Sequence, residues 1–152
     1  MKQSKSRVAV IGTTSWGTTL AIMLSRKGLT ASLWARTEEE AEKLNRGKGN
    51  AVRLPGFPFP EGLRATTSLD EALDKAGLVI FAVPSQDMRR NVGLVREYLG
   101  SSTLILSVAK GLEVESVKRM SQVISEEIAS SFHHNICVLS GPNLSREIAR
   151  GL

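Results

Sequence analysis

Cysteine is almost missing from this chain. Cys137 is the only one among 152 residues, so no disulfide framework holds the fold. Inside the apolar run "NICVLS" it reads as a buried small hydrophobe. Aromatic residues are also scarce, with one Tyr, four Phe and two Trp. The 20 Lys and Arg residues are spread over "RK", "RR", "KR" and "RGKGN" instead of forming one block. A nucleic-acid surface calls for a concentrated basic face or stacking aromatics, so that class of partner is not expected. A net charge of +5 remains compatible with small anions, phosphates especially. No apolar run reaches the roughly 18 residues that a membrane-spanning helix needs, and the opening "MKQSKS" is polar and basic with no apolar segment behind it. Neither membrane insertion nor secretion is expected, and the cytoplasm is the expected location.

Histidine is rare too. His133 and His134 are the only two and lie side by side in "SSFHHN". No Cys or Asp cluster accompanies them, so they read as loop residues and no metal is expected. No Ser-His-Asp or paired-carboxylate arrangement presents itself, which leaves no catalytic group legible in this chain.

What is present is alternation. Five short runs rich in Val, Ile and Leu suit strands buried on both faces: "RVAVIG" (7–12), "ASLWAR" (31–36), "GLVIFAVP" (77–84), "STLILSVA" (102–109) and "NICVLSG" (135–141). Amphipathic segments lie between them at 16–27, 38–46, 69–75, 87–99 and 116–130. Strand alternating with helix predicts an α/β fold, a Rossmann-like doubly wound parallel sheet in a single domain. Ser68, with Glu71 three residues on, reads as a helix N-cap; Gly28 and Gly100 each follow a helix. The stretch "RGKGNAVRLPGFPFPEGLR" (46–64) carries the glycines and prolines of a long loop, and loops of that length in compact domains are often functional.

"VAVIGTTSWGTTLA" (8–21) opens as a dinucleotide-binding turn does, strand first and then glycines. In such a turn the first glycine allows the tight bend, the second the approach of backbone to pyrophosphate, and the third close helix packing. Gly12 and Gly17 keep the first and third roles, and Thr14 replaces the second. The loop would still serve if Thr14 turned its side chain outward, leaving the helix N-terminus aimed at phosphate, with Ser15 capping the helix or donating to a phosphate oxygen. The glycines alone leave a plain strand-to-helix turn equally open. About twenty residues on, an acidic residue would bind the ribose 2′-hydroxyl of NAD. Here stand Ala35 and Arg36. Arginine suits a 2′-phosphate, which favours NADP(H) while NAD(H) stays compatible; the alternative is a solvated strand-end residue. Trp34 reads as core. In "FAVPSQDMRR" Ser85 reads as an N-cap behind Pro84. Lys110 in "SVAKGLE" stands where a strand's carboxyl end can hold an anionic substrate as a point charge.

The motifs "GTTSWGTTLA", "LWAR", Leu44 and Asn45 with Asn50 and "LPG", "FAVPSQDMR", "VAKGLE" and "LSGPN" occur in this order. Together they resemble the amino-terminal domain of the NAD(P)-dependent glycerol-3-phosphate dehydrogenases, from about Val8 to the end. The resemblance implies that Gly12, Ser15, Trp16 and Gly17 line the pyrophosphate turn, that Arg36 meets the adenosine ribose or its phosphate, and that Ser145 is a further cofactor contact. It implies that Lys110 touches both cofactor and substrate, and that Gly141 and Asn143 meet sn-glycerol 3-phosphate or dihydroxyacetone phosphate. The family usually has glycine at Thr14 and a small apolar residue at Ser145.

Members of that family continue into a helical domain that supplies the general acid/base lysine and the grip on substrate phosphate. By that measure residues 1–152 are expected to be an isolated cofactor domain, a piece of a longer protein with little or no turnover alone. The apolar surface left uncovered would then allow self-association, for instance as a homodimer. The implied activity of the parent is reversible, NAD(P)H-dependent reduction of dihydroxyacetone phosphate, feeding phospholipid synthesis. The alternative is a non-catalytic nucleotide-binding or regulatory module whose site Thr14 has weakened.

Overall fold

Residues 6–152 are described by a computed structural model; the opening segment through residue 5 lies outside them. Strand β1 (Arg7–Ile11) turns Val8 and Val10 to one side and Ala9 and Ile11 to the other, all nearly without solvent exposure. A strand apolar on both faces needs cover on both, and the rest of the chain provides it. In order follow α1 (Ser15–Arg26), β2 (Thr30–Trp34), α2 (Glu38–Arg46), β3 (Arg64–Thr66), α3 (Leu69–Leu73), β4 (Ala76–Phe81), α4 (Met88–Val95), β5 (Leu104–Ser107), α5 (Met120–Glu127), β6 (Ile136–Val138) and α6 (Ser145–Ala149).

The six strands pair in the order β3-β2-β1-β4-β5-β6, every pair parallel. Val8, Val10, Leu33, Ile80 and Ala82 pack beneath Ala21 and Ile22 of α1, Ala41 and Leu44 of α2, Leu54 and Leu63 of the long loop and Ala149 of α6. Ala9, Ile11, Val79, Phe81 and Ile105 pack on the opposite face against Leu73 of α3, Met88, Val92 and Val95 of α4, and Val123 and Ile124 of α5. The doubly wound sheet read from the alternation is therefore present. Its strand order reverses at β1, which opens a crevice beyond the carboxyl ends of β1 and β4, the place where such sheets take ligands.

Several local expectations are corrected. The sheet has a sixth strand, β3, too short and too polar in "RAT" to register as an apolar run; it needs only one neighbour because it is an edge. Cys137 is exposed. It lies on β6, the other edge strand, paired on one side only. The helix expected from Ser116 begins at Met120 instead. Val117 takes a left-handed conformation, φ 55°, and residues 112–119 close into a tight loop through the pairing of Leu112 with Arg119 and the bond from Glu113 N to Lys118 O. The segment 87–99 is one α-helix flanked by 3-10 turns at Ser85–Asp87 and Arg96–Tyr98. Ser85 is the first residue of its turn and makes no cap there; Pro84, which has no N–H to satisfy, holds the cap position. Ser68 does cap α3, accepting from Glu71 N.

Candidate functional site

The turn between β1 and α1 is built by two glycines at which any side chain would clash. Gly12 has φ +108°, and a Cβ there would stand 2.6 Å from the carbonyl oxygen of Ala82. A Cβ on Gly17 would stand 2.3 Å from the carbonyl oxygen of Gly12. Both contacts are shorter than van der Waals packing allows, so the first turn of α1 lies directly on the end of β4. Thr14 does not turn outward. Its hydroxyl donates to Ala82 O at 2.9 Å and accepts from Gly17 N at 3.0 Å, so Thr14 rather than Ser15 is the N-cap of α1. The hydroxyl finds here both an unpaired helix donor and a strand-end carbonyl, which is why it faces the protein. The Ser15 hydroxyl reaches the long loop, donating to Arg53 O at 2.6 Å.

That loop forms the wall of the site. The buried Asn50 side chain donates to Thr13 O and Thr18 Oγ1, both at 2.9 Å, and accepts from Arg53 N at 3.0 Å. Asn45 pairs through both its oxygen and its nitrogen with Ala65 of β3. Two asparagine amides, each bonded through both its oxygen and its nitrogen, let a Gly- and Pro-rich segment keep one shape.

Two adjoining clefts share Thr14, Arg53, Val83 and Pro84. The first, of about 270 Å³, gathers Gly12, Trp34, Arg36, Glu40, Arg90 and Asn91. Arg36 is exposed at the end of β2, and its backbone N–H donates to Glu40 Oε2 at 3.3 Å. The other Glu40 oxygen accepts from Thr13 Oγ1. Trp34 is core, as read, with its indole N–H donated to Thr67 O at 3.0 Å, yet it also lines this cleft. The second cleft, of about 420 Å³, brings Ser15, Trp16, Lys110, Asn143 and Ser145 together. These come from three separate segments, and α6 is held against α1 by Thr19 Oγ1 donating to Ser145 O and Arg26 to Ala149 O. Two buried donors in this cleft, Trp16 Nε1 and Asn143 Nδ2, have no partner, and such groups are costly unless something accepts from them. Gly17 lies beneath the turn and lines neither cleft. Gly141, exposed at φ +132°, lines neither as well and instead accepts at its carbonyl from Asn143 N at 2.9 Å.

Beside Lys110 runs an ion-pair cluster. Arg89 on α4 is bidentate to Glu113, at 2.9 and 2.8 Å, and also reaches Glu126 and Glu127 of α5. Its hydrogen bonds hold the Glu113 carboxyl down at about 2, helped by Ser116, and raise the already basic Arg89 further. His133 and His134 lie in a 3-10 turn, with His133 Nε2 2.8 Å from Ser125 O. Among the described residues no three His, Cys, Asp or Glu side chains come together as metal ligands would. No described helix is long and apolar enough to cross a membrane.

Arg53 and Glu40 were not singled out from the sequence. Arg53 carries no local signal, whereas Glu40, three residues after the N-cap Thr37, is legible only as a helix-start residue. The family model for the amino-terminal part of NAD-dependent glycerol-3-phosphate dehydrogenases matches residues 7–152. The chain belongs to that family. Over 148 residues it is 53% identical to a glycerol-3-phosphate dehydrogenase [NAD(P)+] of Dehalococcoides mccartyi, 97% of this chain and 41% of the relative. A Corynebacterium glutamicum enzyme of the same name is 44% identical over 144 residues, 95% of this chain and 43% of its own length. The chain thus spans about two-fifths of the curated relatives it matches. Among solved structures, the Coxiella burnetii glycerol-3-phosphate dehydrogenase superposes with a TM-score of 0.87 at 30% identity, over 97% of this chain and 44% of that one.

Proposed function

We propose that this chain is the cofactor-binding domain of a glycerol-3-phosphate dehydrogenase and that it takes NADP(H) in preference to NAD(H). One observation carries the reading: at the sheet's reversal point, a Gly12 turn that tolerates no side chain opens into two joined clefts, with Arg36 in the first and Lys110 in the second. The clefts suit a long, two-ended anionic ligand. Arg36 offers a bidentate fork to a ribose 2′-phosphate. Trp16 Nε1 and Asn143 Nδ2 are donors awaiting acceptors, and Ser15 and Ser145 stand at the rim beside them.

A nicotinamide, when bound, supplies a hydride to carbon. Lys110 and Asn143 orient the carbonyl and phosphate of dihydroxyacetone phosphate, with Gly141 shaping the backbone that carries Asn143. The carbonyl oxygen must also gain a proton to give sn-glycerol 3-phosphate. The family resemblance assigns that transfer to a lysine beyond these residues, so this domain contributes orientation without proton transfer.

Calorimetric titration of NADPH, NADH and ATP into the chain tests the reading. NADPH is expected to bind tightest, and Arg36→Ala to weaken it by about tenfold, or about 1.4 kcal/mol, with NADH little changed. Absence of dinucleotide binding overturns the reading in favour of a non-catalytic module, a role consistent with Thr14 occupying the N–H of Gly17.

A further inference from the structure

Lys110 sits in a segment that leaves β5 without regular structure, and its place is fixed from the side. Gln86, in the 3-10 turn before α4, grips the backbone just beyond it at two points: its Nε2 donates to Leu112 O at 2.8 Å and its Oε1 accepts from Val114 N at 3.0 Å. Between those points the Glu113 side chain is held by both arms of the Arg89 guanidinium. Three consecutive residues, 112 to 114, are thus clamped to one turn of chain. Gly111, φ +100°, makes the bend between Lys110 and the clamp, passing so close to Ser85 that a Cβ would meet its hydroxyl at 3.4 Å. Ser85 Oγ in turn accepts from Gln86 Nε2 at 3.0 Å.

We infer that Gln86 and Arg89 are positioning residues for Lys110, fixing through residues 112–114 where its ammonium stands in the second cleft. This rests on the proposed role of Lys110. A flexible four-carbon side chain contributes orientation only if its backbone is held, and the loop's own bonds, Glu113 N to Lys118 O and Val117 N to Glu113 O, shape the loop without attaching it to the sheet. What fixes its near end, beside Lys110, to the rest of the domain is Gln86 in the 3-10 turn and Arg89 on α4; its far end is tied separately, by Lys118 to Glu126 of α5.

Gln86→Ala, an exposed and mild substitution, separates the clamp from general stability, and Gln86→Glu keeps the acceptor for Val114 N while losing the donor. Amide exchange read by NMR is expected to quicken at least tenfold at Val114 in Gln86→Ala, less in Gln86→Glu, with β4 and β5 unchanged. Unchanged exchange at Val114 overturns the clamp whether or not any dinucleotide binds. NADPH and adenosine 2′,5′-bisphosphate, which lacks the nicotinamide end, are then titrated into the wild type, Gln86→Ala, Lys110→Ala and the double variant. NADPH is expected to weaken several-fold, and alike, in all three variants, with the bisphosphate unaffected. Equal weakening of both ligands, or additive losses in the double variant, reduces Gln86 to a structural residue and overturns the inference. If Lys110→Ala leaves NADPH binding intact, the inference falls through Lys110 itself, and the exchange data still tell whether the clamp exists.

Discussion

The hydroxyl of Thr14 donates to the carbonyl of Ala82 at 2.9 Å, and so one side chain joins the start of α1 to the end of β4 across the crevice floor. The same oxygen caps the helix at Gly17 N. A residue that interrupts the glycine pattern therefore supports the turn it interrupts. Thr14→Ala is expected to cost about 1–2 kcal/mol, the worth of a good N-cap, visible as a lower urea midpoint at unchanged slope. Thr14→Ser, which keeps the hydroxyl, should recover most of it.

Gly17→Ala is expected to be more damaging than its place in the first turn of α1 suggests. Alanine usually favours a helix, but here its methyl would stand 2.3 Å from Gly12 O and 2.9 Å from Ala82 Cβ. A loss of about 1–3 kcal/mol from overpacking is expected, measured by thermal unfolding. A stabilised Gly17→Ala protein would contradict the packing described.

Asn50→Ala should release the loop wall. The substitution leaves Thr18 Oγ1, Thr13 O and Arg53 N without their shared partner, costing about 1–3 kcal/mol for buried groups left unpaired. Trypsin should then cut after the exposed Arg53 faster than in wild type, as followed by mass spectrometry, while cleavage at Lys27 stays the same.

The Arg89 cluster makes acid stability predictable in sign. The carboxyl of Glu113 is held at about 2 in the folded chain against an ordinary value of 4.5, and Glu126 is lowered too, chiefly by Lys118 and then Arg89. Groups with depressed folded values stabilise the fold fully above their unfolded value, and the contribution fades as pH falls through the folded one. Unfolding curves should therefore weaken from pH about 4.5 down to about 2. In Glu113→Gln that slope should be shallower, with chemical denaturation at several pH values as the check.

The periodicity of the chain carried most of the architecture. Helix α2 falls at Glu38–Arg46, the bounds its amphipathic pattern suggested, because its cap and amphipathic face are local properties. What escaped was non-local. Strand β3 exists only because β2 offers an edge to Arg64–Thr66, and Cys137 is exposed only because nothing described lies beyond β6. At the site, Gly12 and Gly17 were readable because steric demand at a turn leaves a trace in residue type. Arg53 and Gln86 were not, since their roles come from distant partners: the Ser15 hydroxyl that meets Arg53's carbonyl, and the backbone of Leu112 and Val114 that the Gln86 side chain meets.

Six parallel strands also leave the molecule with a quiet end. Every carboxyl-terminal strand end faces the clefts, so the turns at Gly28, Lys75 and Gly100 gather on the opposite rim, about 16 Å away across a five-residue strand. Lys27, next to Gly28, and Ser101, next to Gly100, are exposed there. That rim is where a fluorophore, a surface tether or a fused reporter can be attached to follow ligand capture at the other without entering the chemistry.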